Sequence, residues 1–397
     1  DFDLNILAGL RYETTDQTSS SETPPLAYYI WSSDNDFTPV SAPAGTPTVD
    51  GQTYDVLLPS VDVSLNFTND LIGRLSYSET IARPGLASLG SVVSFGQPNG
   101  STLNEGTTVQ ADGQNPQLKP LESKNIDVSL EWYFDDASYA SVGLFEKRVV
   151  NFTGTEITTQ TFDVRDQTAG PRAQAAAAAL ADLGINQDNA TLYTMMQIQA
   201  DPNLEPSDFS DALVSDFNDQ AGYDFITPNA DDPLMEYEFS TTVNNREAKL
   251  YGAEFAVQHF FGDTGFGVQA NYTIVKGDVK FDNLDLTSDQ FALLGLSDTA
   301  NLVLMYEGYG FETRLAANWR DKYLNQTGWG SNNPGYVEEH TQLDLNVTYN
   351  VTDNLAVSFE GINLTGEDRR EHGRNENMMI FYDDLGARYQ LGARYSF

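Results

Sequence analysis

Few residues of this chain have the types and spacing that catalysis requires. The 397 residues include no Cys and only His259, His340 and His372, so thiol nucleophiles, disulfides and Cys-ligated zinc are excluded. No His-Glu-x-x-His, Gly-x-Ser-x-Gly or phosphate-loop motif occurs. Asp and Glu number 58, and carboxylate pairs are therefore too common to indicate glycosidase chemistry. The sequence predicts no enzyme, no cofactor and no bound metal ion.

A first candidate for ligand binding is an aromatic stretch near position 320. It contains Trp319, Arg320 and Tyr323, and Trp329 follows shortly after. Aromatic faces beside a few polar groups are typical of sites for sugars and siderophores. Trp and Tyr are also enriched in the belts that flank a membrane. We therefore expect these residues either to contact substrate or to lie at the membrane interface.

A second candidate is the one basic cluster of an acidic chain. It consists of Arg369, Arg370, His372 and Arg374. A local basic patch attracts anionic ligands even when the overall charge is negative. The alternative is that these side chains pair with neighbouring acidic loops, and the sequence leaves both possibilities open.

β-Strands must position these candidates, because apolar residues alternate along most of the chain. Apolar side chains occupy every second position from 2 to 12 and again from 389 to 397. Period-two alternation predicts strands with one apolar face. Charged residues occupy the other face of nearly every such segment, and no run approaches the ~18 apolar residues of a membrane helix. This pattern is typical of the strands of a transmembrane β-barrel.

The lengths of the connections support the same fold. Short polar turns alternate with much longer connections, as periplasmic turns and extracellular loops do in an outer-membrane barrel. The sequence therefore predicts an all-β fold, a transmembrane antiparallel β-barrel with long extracellular loops and minor helix. The twelve predicted strands cover residues 2–14, 53–67, 71–82, 122–134, 138–153, 236–261, 265–278, 297–307, 311–323, 339–350, 354–363 and 386–397.

Acidic residues dominate the remainder of the chain. The formal net charge is −37, so binding to nucleic acid is not expected. Segment 154–235 is especially acidic, and we interpret it as a large extracellular loop insertion with a solvated surface. Within it, residues 172–183 and 192–199 are predicted to form short helices. Binding of divalent cations is the alternative, but no Asp-x-Asp-x-Asp-Gly loop supports it.

Several segments resemble one protein family in their residues, order and spacing. Residues 75–84, LSYSETIARP, look like the strand-to-loop motif of TonB-dependent receptors of the Xanthomonas–Caulobacter type. Residues 115–123, NPQLKPLES, and then residues 130–134, LEWYF, resemble the NPxLKPxxS…EYYF segment of that family. The resemblance is completed by the runs 251–254, 362–367 and 388–392 and by the terminal Phe397.

The resemblance implies a 22-stranded barrel that encloses an N-terminal plug domain. Residues 1–397 would be the C-terminal portion of that barrel, without the plug domain, the N-terminal strands and the TonB box. The chain opens directly in a strand-like pattern and shows no signal peptide, so we expect it to be the back part of a longer protein. The implied location is the outer membrane of a Gram-negative bacterium, in contact with its lipid and lipopolysaccharide.

The function that the resemblance implies is TonB-dependent active uptake of a scarce nutrient. Its implied partners are the TonB–ExbB–ExbD complex, reached through the N-terminal part, and the barrel-assembly machinery, which would read Tyr395 and Phe397. We expect the ligand to be a small molecule or oligosaccharide: a carbohydrate first, a ferric siderophore second. The alternative is a stand-alone twelve-stranded passive pore or adhesin, and a soluble β-protein comes third.

Overall fold

Strands make up most of the protein. The computed structural model describes residues 3–21, 24–43, 48–98, 109–219, 225–288, 290–328 and 333–397. The strands are β1 (Asp3–Ser21), β2 (Leu26–Trp31), β3 (Phe37–Ser41), β4 (Thr48–Asn66), β5 (Leu71–Ala82), β6 (Val93–Phe95), β7 (Val109–Gly113), β8 (Leu121–Asp135), β9 (Ser138–Arg165), β10 (Leu234–Phe260), β11 (Phe266–Gly277), β12 (Thr299–Gly308), β13 (Phe311–Arg320), β14 (Tyr323–Gln326), β15 (Gly335–Val337), β16 (His340–Thr352), β17 (Leu355–Ile362), β18 (Arg369–His372), β19 (Met379–Asp383) and β20 (Arg388–Tyr395). The α-helices are α1 (Pro171–Asp182), α2 (Asn189–Ala200) and α3 (Asp211–Asp219).

One antiparallel path of twelve strands forms the main sheet. Its order is β1-β4-β5-β8-β9-β10-β11-β12-β13-β16-β17-β20. Strands β6 and β7 attach at the side, where β7 pairs in parallel with β10. Each strand of the main path corresponds to one that the alternation predicts, and the all-β fold class is confirmed.

Three predicted strand ends are wrong. β4 begins at Thr48 rather than at position 53. β1 continues to Ser21 rather than to position 14, and β9 continues to Arg165 rather than to position 153. Beyond the predicted ends the side chains no longer alternate, so the sequence signal is lost. The backbone pairing persists nevertheless, as in Ser21 opposite Thr48.

The two faces of the main sheet differ in chemistry. On one, the outer face, Ile6, Val63, Leu75, Val128 and Leu144 lie side by side across the first five strands of the path. The outer face stays apolar as far as the last strand pair, β17 and β20. The opposite or inner face carries polar rows instead. An apolar face of this extent fits lipid contact, because soluble monomers rarely expose apolar patches beyond a few hundred Å².

The connections differ between the two ends of the main sheet. At one end, called the turn end, strands are joined by short turns, such as Tyr309–Gly310 between β12 and β13. These two residues have φ of 53° and 80°, the positive values that a two-residue hairpin turn requires. At the other end, called the loop end, the connections are far longer. The alternation of short and long connections agrees with the prediction.

β9 and β10 reach far beyond the rest of the sheet. With 28 and 27 residues, each is about 90 Å long, whereas a membrane-spanning strand needs only about 9–11 residues. Their loop-end halves lead into the acidic insertion, which closes where the Asp166 amide donates to the Pro233 carbonyl at 2.8 Å. The predicted loop of 154–235 is therefore shorter, at 166–233, because strand pairing takes up both of its ends.

The insertion is largely helical. α1 and α2 agree with the helices predicted at 172–183 and 192–199, whereas α3 is not predicted. A capping box begins α2: the Asp188 carboxylate accepts from the Thr191 amide at 2.8 Å, and the Thr191 hydroxyl accepts from the Asp188 amide at 2.9 Å. In the described ranges, no helix is both long enough and apolar enough to cross a membrane.

The main hydrophobic core lies at the loop end rather than in the sheet. There, Trp31 is 1 % exposed, stacks on Phe37 with ring centroids 5.5 Å apart and meets the edge of Tyr193 at 5.2 Å. α2 is buried over consecutive residues from Leu192 to Ile198. The cluster, called the loop core, comprises Tyr29, Trp31, Phe37, Val109, Ala111, Val164, Ala173, Ala176, Leu180, Leu192, Tyr193, Met195, Met196, Ile198, Phe217, Ile226, Met235 and Tyr237. The acidic insertion is thus a packed structure, not a loose loop.

A second sheet of four short strands also lies among the connections. Its order is β14-β15-β18-β19, and we call it the loop sheet. β14 and β15 belong to the connection after β13, whereas β18 and β19 belong to the connection after β17. Its register places Val337 opposite both Tyr323 and Glu371, and Glu371 opposite Phe381.

Candidate functional site

The loop sheet brings the two candidate stretches together. Tyr323 is the first residue of β14, and β18 contains the first three members of the basic cluster. β15 lies between these two strands and pairs with both. Arg374 follows β18, and Trp329 lies outside the described residues. Residues that are distant in sequence therefore belong to one small sheet at the loop end.

Arg320 and Tyr323 form a fixed pair at the edge of this sheet. The Arg320 guanidinium lies 3.8 Å from the centroid of the Tyr323 ring, a cation–π contact. Arg320 Nε donates to Ser297 Oγ at 2.8 Å, and Nη2 donates to the Gly295 carbonyl at 2.6 Å. Because these donors are engaged, Arg320 holds the connection before β12 against the loop sheet.

Trp319 lies on the other face of β13. It is opposite Ala300 of β12 and belongs to the apolar outer face. Its ring stacks on Tyr272 of β11, with centroids 6.3 Å apart and 20° between the planes. Of the two interpretations that the sequence leaves open, this position favours the aromatic belt at the membrane interface.

Arg369 and Arg370 both have acidic neighbours. Arg369 forms an ion pair with Glu371, and its guanidinium lies 5.8 Å from the Phe381 ring centroid. Arg370 Nη1 lies 3.8 Å from Glu338 Oε2, on the connection that carries β15. Both guanidinium groups remain about half exposed, at 44 % and 54 % of the side chain. They are partly neutralised, as one of the two interpretations of the basic cluster expects, yet still accessible.

His372 is an internal support rather than a surface contact. It is 3 % exposed, and its ring stacks on Tyr336 with centroids 5.3 Å apart. His372 Nδ1 lies 2.7 Å from the Gly373 carbonyl oxygen, which can only accept, so Nδ1 carries the hydrogen. Tyr336 Oη donates to Asn283 Oδ1 at 2.9 Å. The stacked pair thereby links the loop sheet to the connection between β11 and β12.

Arg374 and Lys322 tie further connections to the loop sheet. Arg374 Nη1 donates to the Asn283 carbonyl at 2.6 Å. Lys322 Nζ forms an ion pair with Glu376 Oε1 at 2.9 Å. The hydrogen bond from Lys322 lowers the pKa of the Glu376 carboxyl below its usual range. The sequence does not indicate Lys322 and Glu376 as a pair, because no spacing rule connects positions that distant.

Two exposed aromatic residues lie on β19. Phe381 is 46 % exposed and Tyr382 is 49 % exposed. Tyr382 Oη donates to Asp368, and this hydrogen bond raises the pKa of the phenol above its usual value. Successive side chains of a strand lie on opposite faces, so Tyr382 lies opposite Arg370 on one face of the loop sheet and Phe381 lies near Arg369 on the other. Each face thus offers one aromatic ring beside one guanidinium donor. Such a surface can stack a sugar ring or another flat ligand.

The contacts described so far give no support to a bound metal ion. Across the part of the chain that the structure describes, no group of three or more His, Asp and Glu is placed to hold a metal ion.

At the C-terminus, Tyr395 pairs opposite Leu355 and its ring meets the edge of Phe397 at 5.2 Å. Phe397 is fully exposed, and its role in barrel assembly remains a prediction.

The family follows from a sequence comparison. The sequence model described as "TonB dependent receptor-like, beta-barrel" matches residues 1–364. The chain therefore belongs to the TonB-dependent receptor family, as its motifs suggest. No curated protein is significantly similar to it.

Solved receptors share its fold. The siderophore receptor PirA from Acinetobacter baumannii aligns with a TM-score of 0.52 at 12 % identity, over 88 % of this chain and 42 % of PirA. A mutant of the ferric enterobactin receptor PfeA from Pseudomonas aeruginosa aligns with a TM-score of 0.54 at 13 % identity, over 98 % of this chain and 51 % of PfeA. The copper transporter OprC aligns with a TM-score of 0.51 at 13 % identity, over 99 % of this chain and 46 % of OprC. The chain spans about half the length of these proteins, and the similarity establishes the fold alone.

Proposed function

We propose that this chain is the barrel portion of an active transporter, which takes up a scarce nutrient across the outer membrane of a Gram-negative bacterium. The observation that carries the proposal is the apolar outer face that runs across all twelve strands of the main sheet. A surface of this kind needs lipid around it. The proposed orientation places the turn end in the periplasm and the loop end in the medium, where the ligand is captured.

The energy for uptake would come through the TonB–ExbB–ExbD complex. In the family, the coupling element is a plug domain inside the barrel. The solved receptors are about twice as long as this chain, which is consistent with further domains in the complete protein. The polar inner face of the sheet is chemically suited to contact such a domain and a hydrated ligand.

A carbohydrate or oligosaccharide is our first choice of ligand, and a ferric siderophore is the second. The support is the loop sheet, where the exposed Phe381 lies near the half-exposed Arg369 on one face and the exposed Tyr382 lies opposite the half-exposed Arg370 on the other. Sugar rings stack on such faces, and guanidinium groups donate to hydroxyls. PirA and PfeA are siderophore receptors and OprC transports copper, but at their level of identity this gives only the second choice.

Transport assays on the complete receptor test the proposal. Cells that express the receptor would be given labelled neutral and acidic oligosaccharides and, separately, ferric siderophores, with TonB intact or deleted. We expect accumulation of an oligosaccharide that disappears without TonB. Accumulation that is independent of TonB would contradict active uptake. TonB-dependent accumulation of a ferric siderophore alone would replace the first choice of ligand by the second.

The stand-alone pore or adhesin is less well supported. A closed barrel of twelve strands needs β1 to pair with β20. Within the residues that the structure describes, β1 pairs with β4 alone and β20 pairs with β17 alone. Both edges of the main sheet are therefore open to further strands. Single-channel conductance that matches a twelve-stranded lumen would restore the pore as the favoured alternative.

Two further partners belong to the proposal. Lipid and lipopolysaccharide would surround the outer face, and the barrel-assembly machinery would recognise the last strand with Tyr395 and Phe397. The exposure of Phe397 at the very end of the chain supports recognition by another protein.

A further inference from the structure

Residues 115–120, with the sequence NPQLKP, form a strap between β7 and β8. Its side chains divide into buried and exposed sets. Pro116, Pro120 and Leu118 are buried, and Leu118 is 0 % exposed. Gln117 and Lys119 are the exposed positions. The strap therefore packs its apolar side chains against the protein and presents an amide and an ammonium group to the open side.

Side-chain amides from β1 and β4 hold one end of the strap. Gln17 Nε2 donates to the Pro116 carbonyl, and Gln52 Nε2 donates to the Leu118 carbonyl at 2.8 Å. Gln17 and Gln52 are opposite each other in the β1–β4 ladder. Every second side chain of a strand lies on the same face, and Gln17 and Gln52 both belong to the positions whose side chains lie on the inner face. The strap therefore lies over the inner face, at the loop end of the barrel.

Side-chain amides from β9 and β10 hold the other end. Asn244 contacts Lys119 twice: its Oδ1 accepts from the Lys119 amide at 2.7 Å, and its Nδ2 donates to the Lys119 carbonyl at 3.2 Å. Asn151 Nδ2 donates to the Pro120 carbonyl at 3.1 Å. Asn115 of the strap itself donates to the Thr242 carbonyl at 2.9 Å. The backbone on both sides of Lys119 is thus fixed by four different strands.

The ammonium group of Lys119, in contrast, has no counter-ion. Two other exposed lysines are close to carboxylates: Lys124 Nζ lies 3.8 Å from Glu79 Oε1, and Lys276 Nζ lies 2.9 Å from Asp298 Oδ1. Lys119 forms no ion pair with any residue that the structure describes. Because the backbone that carries it is already ordered, Lys119 has only its side chain left to order when it binds an anion.

A second lysine without an ion pair among the described residues lies below the strap. Lys147 of β9 is opposite Asn125 and Leu250, on the inner face. It precedes Asn151 by four residues, so it lies about 13 Å deeper along the strand. An anionic ligand released by Lys119 would meet Lys147 next on its way inward.

We propose that Lys119 binds an anionic group of the transported ligand at the mouth of the barrel. The shared chemistry is a carboxylate, which either an acidic oligosaccharide or a carboxylate-bearing ferric chelate can supply. This inference rests on the proposed function, because it assumes that a ligand enters through this mouth. It gives the strap a role of its own in the selection of charge, separate from the half-exposed Arg369 and Arg370 of the loop sheet.

Binding to the purified complete receptor tests the inference. The probes are a galacturonate trimer, its fully methyl-esterified form, which has no charge, and ferric citrate. The variants are Lys119→Gln, Lys119→Arg and, as a matched control, Lys124→Gln on the outer face of β8. The fixing hydrogen bonds use only the backbone of Lys119, so both of its variants keep the strap in place.

We expect Lys119→Gln to weaken binding of the trimer by about tenfold and to leave binding of the ester unchanged. Lys119→Arg should retain affinity for the trimer, and Lys124→Gln should bind as the unmodified receptor does. Added salt should weaken binding of the trimer more than binding of the ester.

The outcomes separate this inference from the proposed function. If the ester binds as well as the trimer and Lys119→Gln changes neither, the inference is overturned while carbohydrate uptake stands. If ferric citrate alone binds and Lys119→Gln weakens it, Lys119 has the proposed role and the carbohydrate choice is wrong. If no probe binds to the unmodified receptor, or if Lys119→Gln binds all probes normally, the inference is wrong.

Discussion

Replacing Trp31 by alanine tests whether the loop core is a unit of stability separate from the main sheet. The Trp31 side chain is 1 % exposed and contacts the rings of Phe37 and Tyr193. Its backbone pairs with Ile226 through hydrogen bonds of 2.9 and 3.1 Å, which the substitution leaves in place. Removing a buried Trp side chain costs about 3–5 kcal/mol, from lost burial and from the cavity that remains.

The cost should fall on the loop core and on the loop-end parts of β9 and β10, which contribute Val164, Met235 and Tyr237 to it. The apolar residues of the outer face are not members of the loop core. Hydrogen exchange of the complete receptor in detergent measures this directly. A loss of about 3–5 kcal/mol lowers the protection of the α2 amides by about 100- to 3,000-fold. Amides of β11, β12 and β13 should keep their protection.

A surface variant in the same insertion provides the control. Leu183 is 44 % exposed, so Leu183→Ala should change protection by less than about 0.5 kcal/mol. If Trp31→Ala lowers the protection of α2 and of the sheet by the same factor, the two form one cooperative unit and the separation is wrong. Unchanged protection of α2 would show that Trp31 does not support the loop core.

Three other outcomes are expected. Deleting Phe397 should lower the amount of receptor in the outer membrane, measured by quantitative blotting, and leave ligand affinity per folded molecule unchanged; normal amounts would refute its role in assembly. The hydrogen bond from Lys322 lowers the pKa of the Glu376 carboxyl. The pair therefore stabilises the loop end at pH values above the ordinary pKa of Glu, and this stabilisation is lost as the pH falls through the lowered pKa. Lys322→Met should therefore raise the pKa of Glu376 in an NMR titration, and an unchanged pKa would disprove the pairing. Arg320→Lys removes the guanidinium contact with the Tyr323 ring and the hydrogen bond to Ser297, at a cost of about 1–2 kcal/mol. Hydrogen exchange of backbone amides should become faster near position 297 and stay unchanged in the remainder of the protein.

The membrane-spanning strands could be predicted because lipid imposes a rule on every second residue. Ile6, Val63 and Leu75 repeat the same alternation on three separate strands. Where β1 and β9 rise beyond the membrane, no such rule applies, and strand pairing continues among polar residues such as Gln17 and Gln52. The predicted strand ends therefore failed at the point where the environment changes from lipid to water.

The sequence indicates some residues of the candidate site, but neither Phe381 and Tyr382 nor the arrangement of the site. Arg369 and Arg370 are conspicuous as bases in an acidic chain, yet Glu338 comes from a different connection. β14 and β18 meet only through β15, and each strand is three or four residues long. Pairing between such short and distant segments leaves no periodic signal in the sequence.

α3 and the strap show two other limits of prediction. α3 is only nine residues long and contains Asp216, Asn218 and Asp219, residues with weak helix propensity, in its second half; its packing through Phe217 against the loop core stabilises it instead. The strap was recognised by its resemblance to a family motif, which gives no reason for its residues. The hydrogen bonds of Gln52, Asn151 and Asn244 explain the position of the strap, since each of these amides fixes a backbone carbonyl or amide. The burial of Pro116, Leu118 and Pro120 explains its apolar residues.

The insertion between β9 and β10 leaves and returns at a single hydrogen-bonded point, where Asp166 meets Pro233. A segment that is anchored in this way is exchangeable: a two-residue turn could close the same gap, and a different insertion could occupy it without disturbing the strand register below. Hairpin β2–β3 supplies Trp31 and Phe37 to the loop core, so it would have to change together with the insertion. Under the proposed orientation, the surface that faces the medium can thus be altered while the barrel beneath it is kept.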